Sequence, residues 1–187
     1  MAGPELTFAG TYLRHIGALL PPEEVSAWLA AAGLDEATLD DGALTLSLNA
    51  FAGLMLDGMA RTQEPALGLF LGERLIARTH GFVGYAALNS RSLREVIEVL
   101  ERFVPVRFSI LTVAHEIHAD ELRLTVTPAI PLGLVTRPLL EAVLMSIRNV
   151  LDAVSLGAFE VRALAFSFPA PEYAALARDL VGTAVRY

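Results

Sequence analysis

The stretch 62-TQEPALGLFLGERLIARTHGFVGYAALNSRSLREVIEVLERFVP-105 decides how the chain is read. Its first helix-like run carries glycines at Gly68 and Gly72, and two more, Gly81 and Gly84, precede a second helix. Glycine inside a helix costs about 1 kcal/mol relative to alanine, so two of them in an alanine-rich chain need a reason. Gly68 and Gly72 fall on one side of a helix, a turn apart. Two missing side chains in a row make a groove that another helix, or a ligand, can approach closely; helix packing is the plainer reading. Gly81 and Gly84 flank Phe82 and precede Tyr85, where a tight reversal would use glycine's freedom at positive φ. Glu64-Pro65 opens the first helix, which runs to about Ala77 and is broken by His80-Gly81. Ser92 and Glu95 form a capping box for the second. Behind it Leu93, Val96, Ile97, Leu100 and Val104 share one face, and Arg94, Glu95, Glu98, Glu101 and Arg102 take the other.

Outward from this block, residues 7–20 and 23–32 read as helices separated by Pro21-Pro22, the second stopping at Gly33. Asp40-Asp41-Gly42 marks a turn, and Leu44, Leu46 and Leu48 alternate as in a brief extended segment. A helix from about Leu48 to Arg61 sets Phe51, Met55 and Met59 at four-residue spacing. After Pro105 the period changes to two. Residues 107–117 and 121–127 read as a hairpin with Leu122, Leu124 and Val126 inward. Pro138 starts a long helix to about Val154, followed by a strand near 160–168, a helix from Pro171 to Leu180 and the start of a last strand in TAVRY. The pattern predicts one α+β domain over residues 1–187, with an N-terminal helical subdomain followed by an antiparallel sheet packed against helices.

Composition narrows the function classes. Of 187 residues, 54% are apolar and 19% charged, which suits a well-buried globular domain. Cysteine is absent, excluding disulfides and thiolate chemistry and fitting a cytoplasmic location. No apolar run is long enough to span a membrane, and MAGPELTFAG lacks the basic start of a signal peptide. All 14 basic residues are arginine against 21 acidic ones, a formal charge of −7. Nucleic-acid binding rests on neutralising phosphates with basic side chains, so this chain by itself is not expected to bind DNA.

Three segments, E-P-A-L-G-L-x-L-G-E-R-L, then G-F-V-G-Y-A-A-L-N-S, then S-L-R-E-V-I-E-V-L-E-R-F, occur in that order. The order resembles the N-terminal effector domain of AraC-type transcription regulators, in the "arabinose-binding" branch beside ornithine- and amino-acid-responsive members. Upstream, 28-WLAAAGLDEATLDD-41 looks like the family's A-A-G-L-D-P-x-x-L pattern. Downstream, 161-VRALAFSFPAPEYAALARDLVG-182 looks like its strand, F-x-x-P-A-P, helix and terminal strand. One departure stands at Gln63-Glu64, where the family has glycine-aspartate before the proline. The resemblance implies a domain that senses a small-molecule effector and signals to two helix-turn-helix units, which this sequence does not contain. Because such regulators read paired half-sites, dimer symmetry is useful to them, and a homodimer is an open option. The alternative is a stand-alone interaction module that pairs with full-length regulators without a metabolite.

No catalytic constellation stands out. H-E-I-H at 115–118 puts His115 and His118 on opposite faces of a strand, and neither H-E-x-x-H nor a cysteine completes a zinc set. G-x-S-x-G and phosphate-loop patterns are missing. The pairs Asp40-Asp41 and Asp120-Glu121 lie in turn-like, solvated positions. The expectation is therefore no enzyme, no metal and no cofactor. A ligand pocket is mostly apolar with a few convergent polar groups, and the family supplies no contact pattern to carry over. Candidates are polar or adaptable residues on apolar faces: Met55, Met59, His80, Phe82, Tyr85, Arg107, Phe108 and Ser146. Arg107 in an apolar pocket would point to a carboxylate effector.

Overall fold

The computed structural model describes residues 7–41, 43–119, 121–156 and 158–187, and of Thr7 and Arg107 the backbone alone. Gly42 of the expected turn and Asp120 of the expected acidic pair lie outside the described residues. Among these residues the order is β1 (Thr7–Ala9), α1 (Thr11–Gly17), α2 (Pro22–Ala30), β2 (Thr45–Ser47), α3 (Leu48–Thr62), α4 (Leu67–Arg74), α5 (Phe82–Leu88), α6 (Leu93–Arg107), β3 (Leu111–His118), β4 (Glu121–Pro128), α7 (Thr136–Ser155), β5 (Ala163–Ala165), α8 (Ala174–Val181) and β6 (Ala184–Arg186). The fold is α+β as expected, mostly helical. Its strands form three separate two-stranded ladders rather than one sheet: β1 with β2 and β3 with β4 are antiparallel, and β5 with β6 is parallel.

Gly68 and Gly72 answer the question their spacing raises. A methyl group on Gly68 would lie 2.6 Å from the Cα of Pro138, and one on Gly72 would lie 2.5 Å from the Cβ of Met145 and 2.9 Å from the Cα of Ala142. Helix α4 therefore lies backbone to backbone along the first half of α7, and helix packing is what the glycines serve. The pair is apolar on both sides. Leu67 and Leu71 face the main core with Trp28, Phe51, Ile97 and Leu139, whereas Ala66, Leu69 and Met145 face a smaller core with Leu164, Ala177 and Val181. A helix buried all round carries apolar residues all round, which is how LGLFLG reads.

Side chains finish the joint. The Asn149 amide nitrogen of α7 donates toward the carbonyls of Gly72 at 2.9 Å, Glu73 at 3.2 Å and Leu75 at 3.3 Å. Gly72 and Glu73 belong to the last turn of α4 and Leu75 caps it, a place where helix carbonyls run out of regular partners; the Gly72 carbonyl also accepts from Leu75 N–H at 3.1 Å. Leu75 is thereby fixed, and the chain leaves α4 through a 3-10 turn at Ala77–His80. Gly81 then takes φ +57°, the positive value its position predicts, and starts α5. That short helix was not legible from spacing. It packs so tightly on the preceding turn that a methyl on Gly84 would come within 2.6 Å of the Ala77 carbonyl carbon.

Three of the boundaries that differ from the sequence reading have a plain physical cause. Thr7–Ala9 is a strand, not the first turn of a helix, because β2 needs a partner: Phe8 pairs with Leu46 and stacks on Phe51 at 4.3 Å. Helix α6 continues through Pro105 to Arg107, so Arg107 ends a helix instead of opening the hairpin, and β3 begins at Leu111. Proline lacks an N–H and so forgoes one helix hydrogen bond, but the helix closes beyond it, with Phe108 N–H donating to the Val104 carbonyl at 2.7 Å. Helix α4 ends three residues earlier than Ala77, where Asn149 takes over its carbonyls.

Gln63, at the family's glycine position, ends α3 in the left-handed region at φ 51°. Glu64 still caps the start of α4, its Oε1 accepting from Ala66 N–H at 2.8 Å. Two substitutions of similar size have opposite expected effects. Gly72→Ala, although it raises helix propensity, forces α4 off α7 and should destabilise by roughly 1–3 kcal/mol. Gln63→Gly removes a left-handed penalty and should stabilise by up to about 1 kcal/mol. Urea unfolding of the two variants checks both; a neutral Gly72→Ala would mean that the helices have slack.

Candidate functional site

The end of α4, the turn after it and α5 make three sides of a cavity against α6 and α7. Leu75 and His80 come from the α4–α5 connection, Val83, Gly84 and Ala87 from α5, and Leu100 and Val104 from α6, with Phe108 just beyond. Val143, Ser146, Ile147 and Val150 come from α7, at the helical spacing that puts them on one face. The free space is about 50 Å³. Apart from His80 and Ser146 every lining side chain is apolar.

Those two polar groups are joined. Ser146 Oγ lies 2.7 Å from His80 Nε2, and the Tyr12 hydroxyl lies 3.2 Å from His80 Nδ1. The imidazole is thus held between α1 and α7, with the Tyr12 ring also 5.4 Å from Phe108. In a neutral histidine one ring nitrogen donates and the other accepts. Two proton arrangements therefore satisfy the chain, one with Tyr12 donating to Nδ1 and Nε2–H donating to Ser146, the other reversed. Ser146 is 6% exposed, and its hydroxyl meets the cavity at the polar end of an otherwise apolar space.

Of the eight candidate residues, His80, Phe108 and Ser146 meet here. Met55 is fully buried in the main core and Met59 packs at its edge, both away from this cavity. Phe82 and Tyr85 point outward, 69% and 66% exposed, with Phe82 edge-on to Phe103 at 5.8 Å. The side chain of Arg107 lies outside the described residues. His115 and His118 are on opposite faces of β3, paired with Glu101 at 2.7 Å and Glu116 at 3.1 Å.

Spacing gave no hint of Glu141. It is fully buried near the start of α7, on the side away from the cavity. Its Oε1 accepts from the Tyr173 hydroxyl at 2.8 Å. Burial pushes its carboxyl up to about 7, against the downward pull of the Tyr173 hydrogen bond and the Arg137 charge. Burial, then Glu141 itself, pushes Tyr173 up. Tyr187 on the far side is raised by burial and by the same carboxylate. Its ring stacks on Phe166 at 5.5 Å. A glutamate between Leu140 and Ala142 on an apolar arc was the available signal.

The family model described as the arabinose-binding domain of AraC transcription regulators, N-terminal, matches residues 24–187. The chain belongs to this family. It is 27% identical over 161 residues to the ornithine utilization regulator of Pseudomonas aeruginosa, covering 84% of this chain and 46% of that protein. The chain thus spans about half the length of the relative it matches. This AraC-type domain comes from a regulatory family and not an enzyme family, and among its described residues no helix is long and apolar enough to cross a membrane.

The folded Glu141 carboxyl keeps its proton to about pH 7, whereas in the unfolded chain it would release it near 4.5. Folding therefore takes up a proton between those limits, and this group's contribution to stability is lost as pH rises through them. Glu141→Gln should remove the dependence and leave the domain more stable above pH 7 by on the order of 3 kcal/mol. Urea unfolding of both proteins from pH 5 to 8 checks it; parallel pH profiles would show that the carboxyl ionises freely.

Proposed function

We propose that this chain is the effector-sensing part of an AraC-type transcription regulator, which takes a small molecule into the α5–α6–α7 cavity and passes the event to DNA-binding helices outside residues 1–187. The single observation that carries the reading is an apolar cavity with one polar end, Ser146 on His80, in a domain of a regulatory family. It acts in the cytoplasm, contacts no nucleic acid itself and catalyses no reaction. To switch anything, the effector must bind one conformation better than another, since equal affinity shifts nothing. Helix α7 suits that task. One face lines the cavity, and its start carries Glu141, hydrogen-bonded to Tyr173 just before α8 and electrostatically coupled to Tyr187 at the end of β6.

A thermal-shift screen of amino acids, organic acids, sugars and fatty acids tests this, because a native-state binder raises the melting temperature. The expected result is at least one saturable hit that is lost in Val143→Phe, which fills the cavity. A screen with no hit overturns the reading.

A second reading, pairing with another copy, is favoured by one observation. Phe82 and Tyr85 stand outward on one side of α5, with Phe82 edge-on to Phe103 of α6, and Val106 of α6 is 78% exposed. Contiguous exposed apolar patches mark interaction sites. Sedimentation should then show a dimer that Phe82→Ser with Tyr85→Ser dissociates; a monomer at every concentration removes this reading.

A further inference from the structure

The cavity's chemistry narrows what it can hold. We infer that its occupant is a neutral, mainly aliphatic molecule with a single oxygen head group, an alcohol or a ketone; this rests on the effector-sensing reading above.

Charge decides first. The described side chains lining the cavity include no aspartate, glutamate, lysine or arginine: its walls are α5, α6 and α7 residues such as Val83, Ala87, Leu100 and Val143. A buried unpaired ammonium or carboxylate is far costlier than a buried neutral group. An amino acid brings at least two charges, and a basic one three, with no carboxylate, lysine or arginine among the described lining residues to meet them. Hydrogen bonding decides next. A free sugar brings several hydroxyls, each of which loses water on entry, and every unpaired one is penalised. Here Ser146 and His80 make one polar locus, so one head group is matched and more would be stranded.

The same locus accepts either hydrogen-bonding sense. With Nε2–H donating to Ser146 Oγ, the serine hydroxyl proton is directed elsewhere and can meet a ketone oxygen. With the serine donating to Nε2, its oxygen accepts from an alcohol. Tyr12 on Nδ1 adjusts to the switch in both cases, so neither arrangement leaves the imidazole unsatisfied. Alcohol and ketone are therefore one class to this site, whereas an ionised head is not.

Titration calorimetry and thermal shift on the domain, with 1-hexanol, 2-heptanone, hexanoate, L-ornithine and L-arabinose as probes, test the inference. The neutral pair should bind saturably with a negative heat-capacity change, the mark of apolar burial. Val143→Phe should weaken both by at least about tenfold, and Ser146→Ala by roughly three- to tenfold, the scale of one neutral hydrogen bond. Should Val143→Phe not fold, Ala87→Leu fills the same space from the opposite wall. If hexanoate binds more tightly than hexanol and Arg107→Ala abolishes the difference, the class is carboxylate and this inference falls. Binding of ornithine or arabinose that Val143→Phe abolishes also overturns it, while the sensor reading stands. Neutral probes that bind both proteins equally lie outside the cavity and overturn it too. No saturable binding by any probe here, together with no hit in the wider screen, ends both readings.

Discussion

The backbone contact between α4 and α7 is the constraint on which the rest of this domain depends. With side chains at Gly68 and Gly72, α7 could not lie where Met145 and Ala142 sit. Two helical glycines cost about 2 kcal/mol in propensity; in return they permit a pair of helices close enough to be shared by two cores. The closeness also sets side-chain reach. Met145 meets Gly72, Ser146 reaches His80, and Asn149 reaches the end of α4. Three successive functions along little more than one turn of α7 arise from a single approach distance. The cavity lies beside this joint, where Ser146 holds His80 at the end of the Ala77–His80 turn and α5 forms the opposite wall.

Whatever is periodic or capped was legible. Half of the capping box at Ser92 forms: Ser92 Oγ accepts from Glu95 N–H at 3.2 Å, while Glu95 accepts from the N–H of Arg91 at 2.6 Å, one residue before the cap. The hairpin's alternation gives the pairing of Leu124 with His115 and Val126 with Val113. Elements that depend on distant partners were not legible. β1 is three residues long and exists because Phe8 meets Leu46 and Phe51 across about forty residues of chain. α5 is seven residues, too short for a period to show. Pro105 read as a stop, yet a proline removes only one hydrogen bond and the turn beyond it closed.

The site was legible in part for the same reason. His80 and Ser146 are 66 residues apart, and each alone is an ordinary residue on an ordinary element. The glycine break flagged His80, the expected hairpin entry at Arg107 flagged Phe108, and a polar residue on the arc of α7 flagged Ser146. Local spacing could not say that Phe82 and Tyr85 turn outward while Val83 and Ala87 turn inward, because that depends on which face of a two-turn helix meets α6. Glu141 shows the converse: a charged residue on the other buried side of α7 is the stronger anomaly, since a buried carboxylate is costly without a partner. Its partner Tyr173 is supplied just before α8, a contact no spacing encodes.

These features restrict how α7 could respond to a guest. A side chain can rotate away from an incoming molecule when its neighbours leave room, but backbones in contact cannot slide past one another without breaking that contact. Because α4 and α7 touch through Gly68 and Gly72, they would move as one body, with Asn149 carrying the end of α4 along. Movement of that body relative to α5 and α6 changes the cavity, and relative to α8 and β6 it changes the surroundings of Glu141. A ligand that prefers one position of the pair therefore biases the Glu141–Tyr173 hydrogen bond and the β6 end at once, by no more than its difference in affinity for the two positions. The coupling would be carried by the helix pair as a whole, which is why a substitution at Gly72, touching neither the cavity nor Glu141, is expected to disturb both.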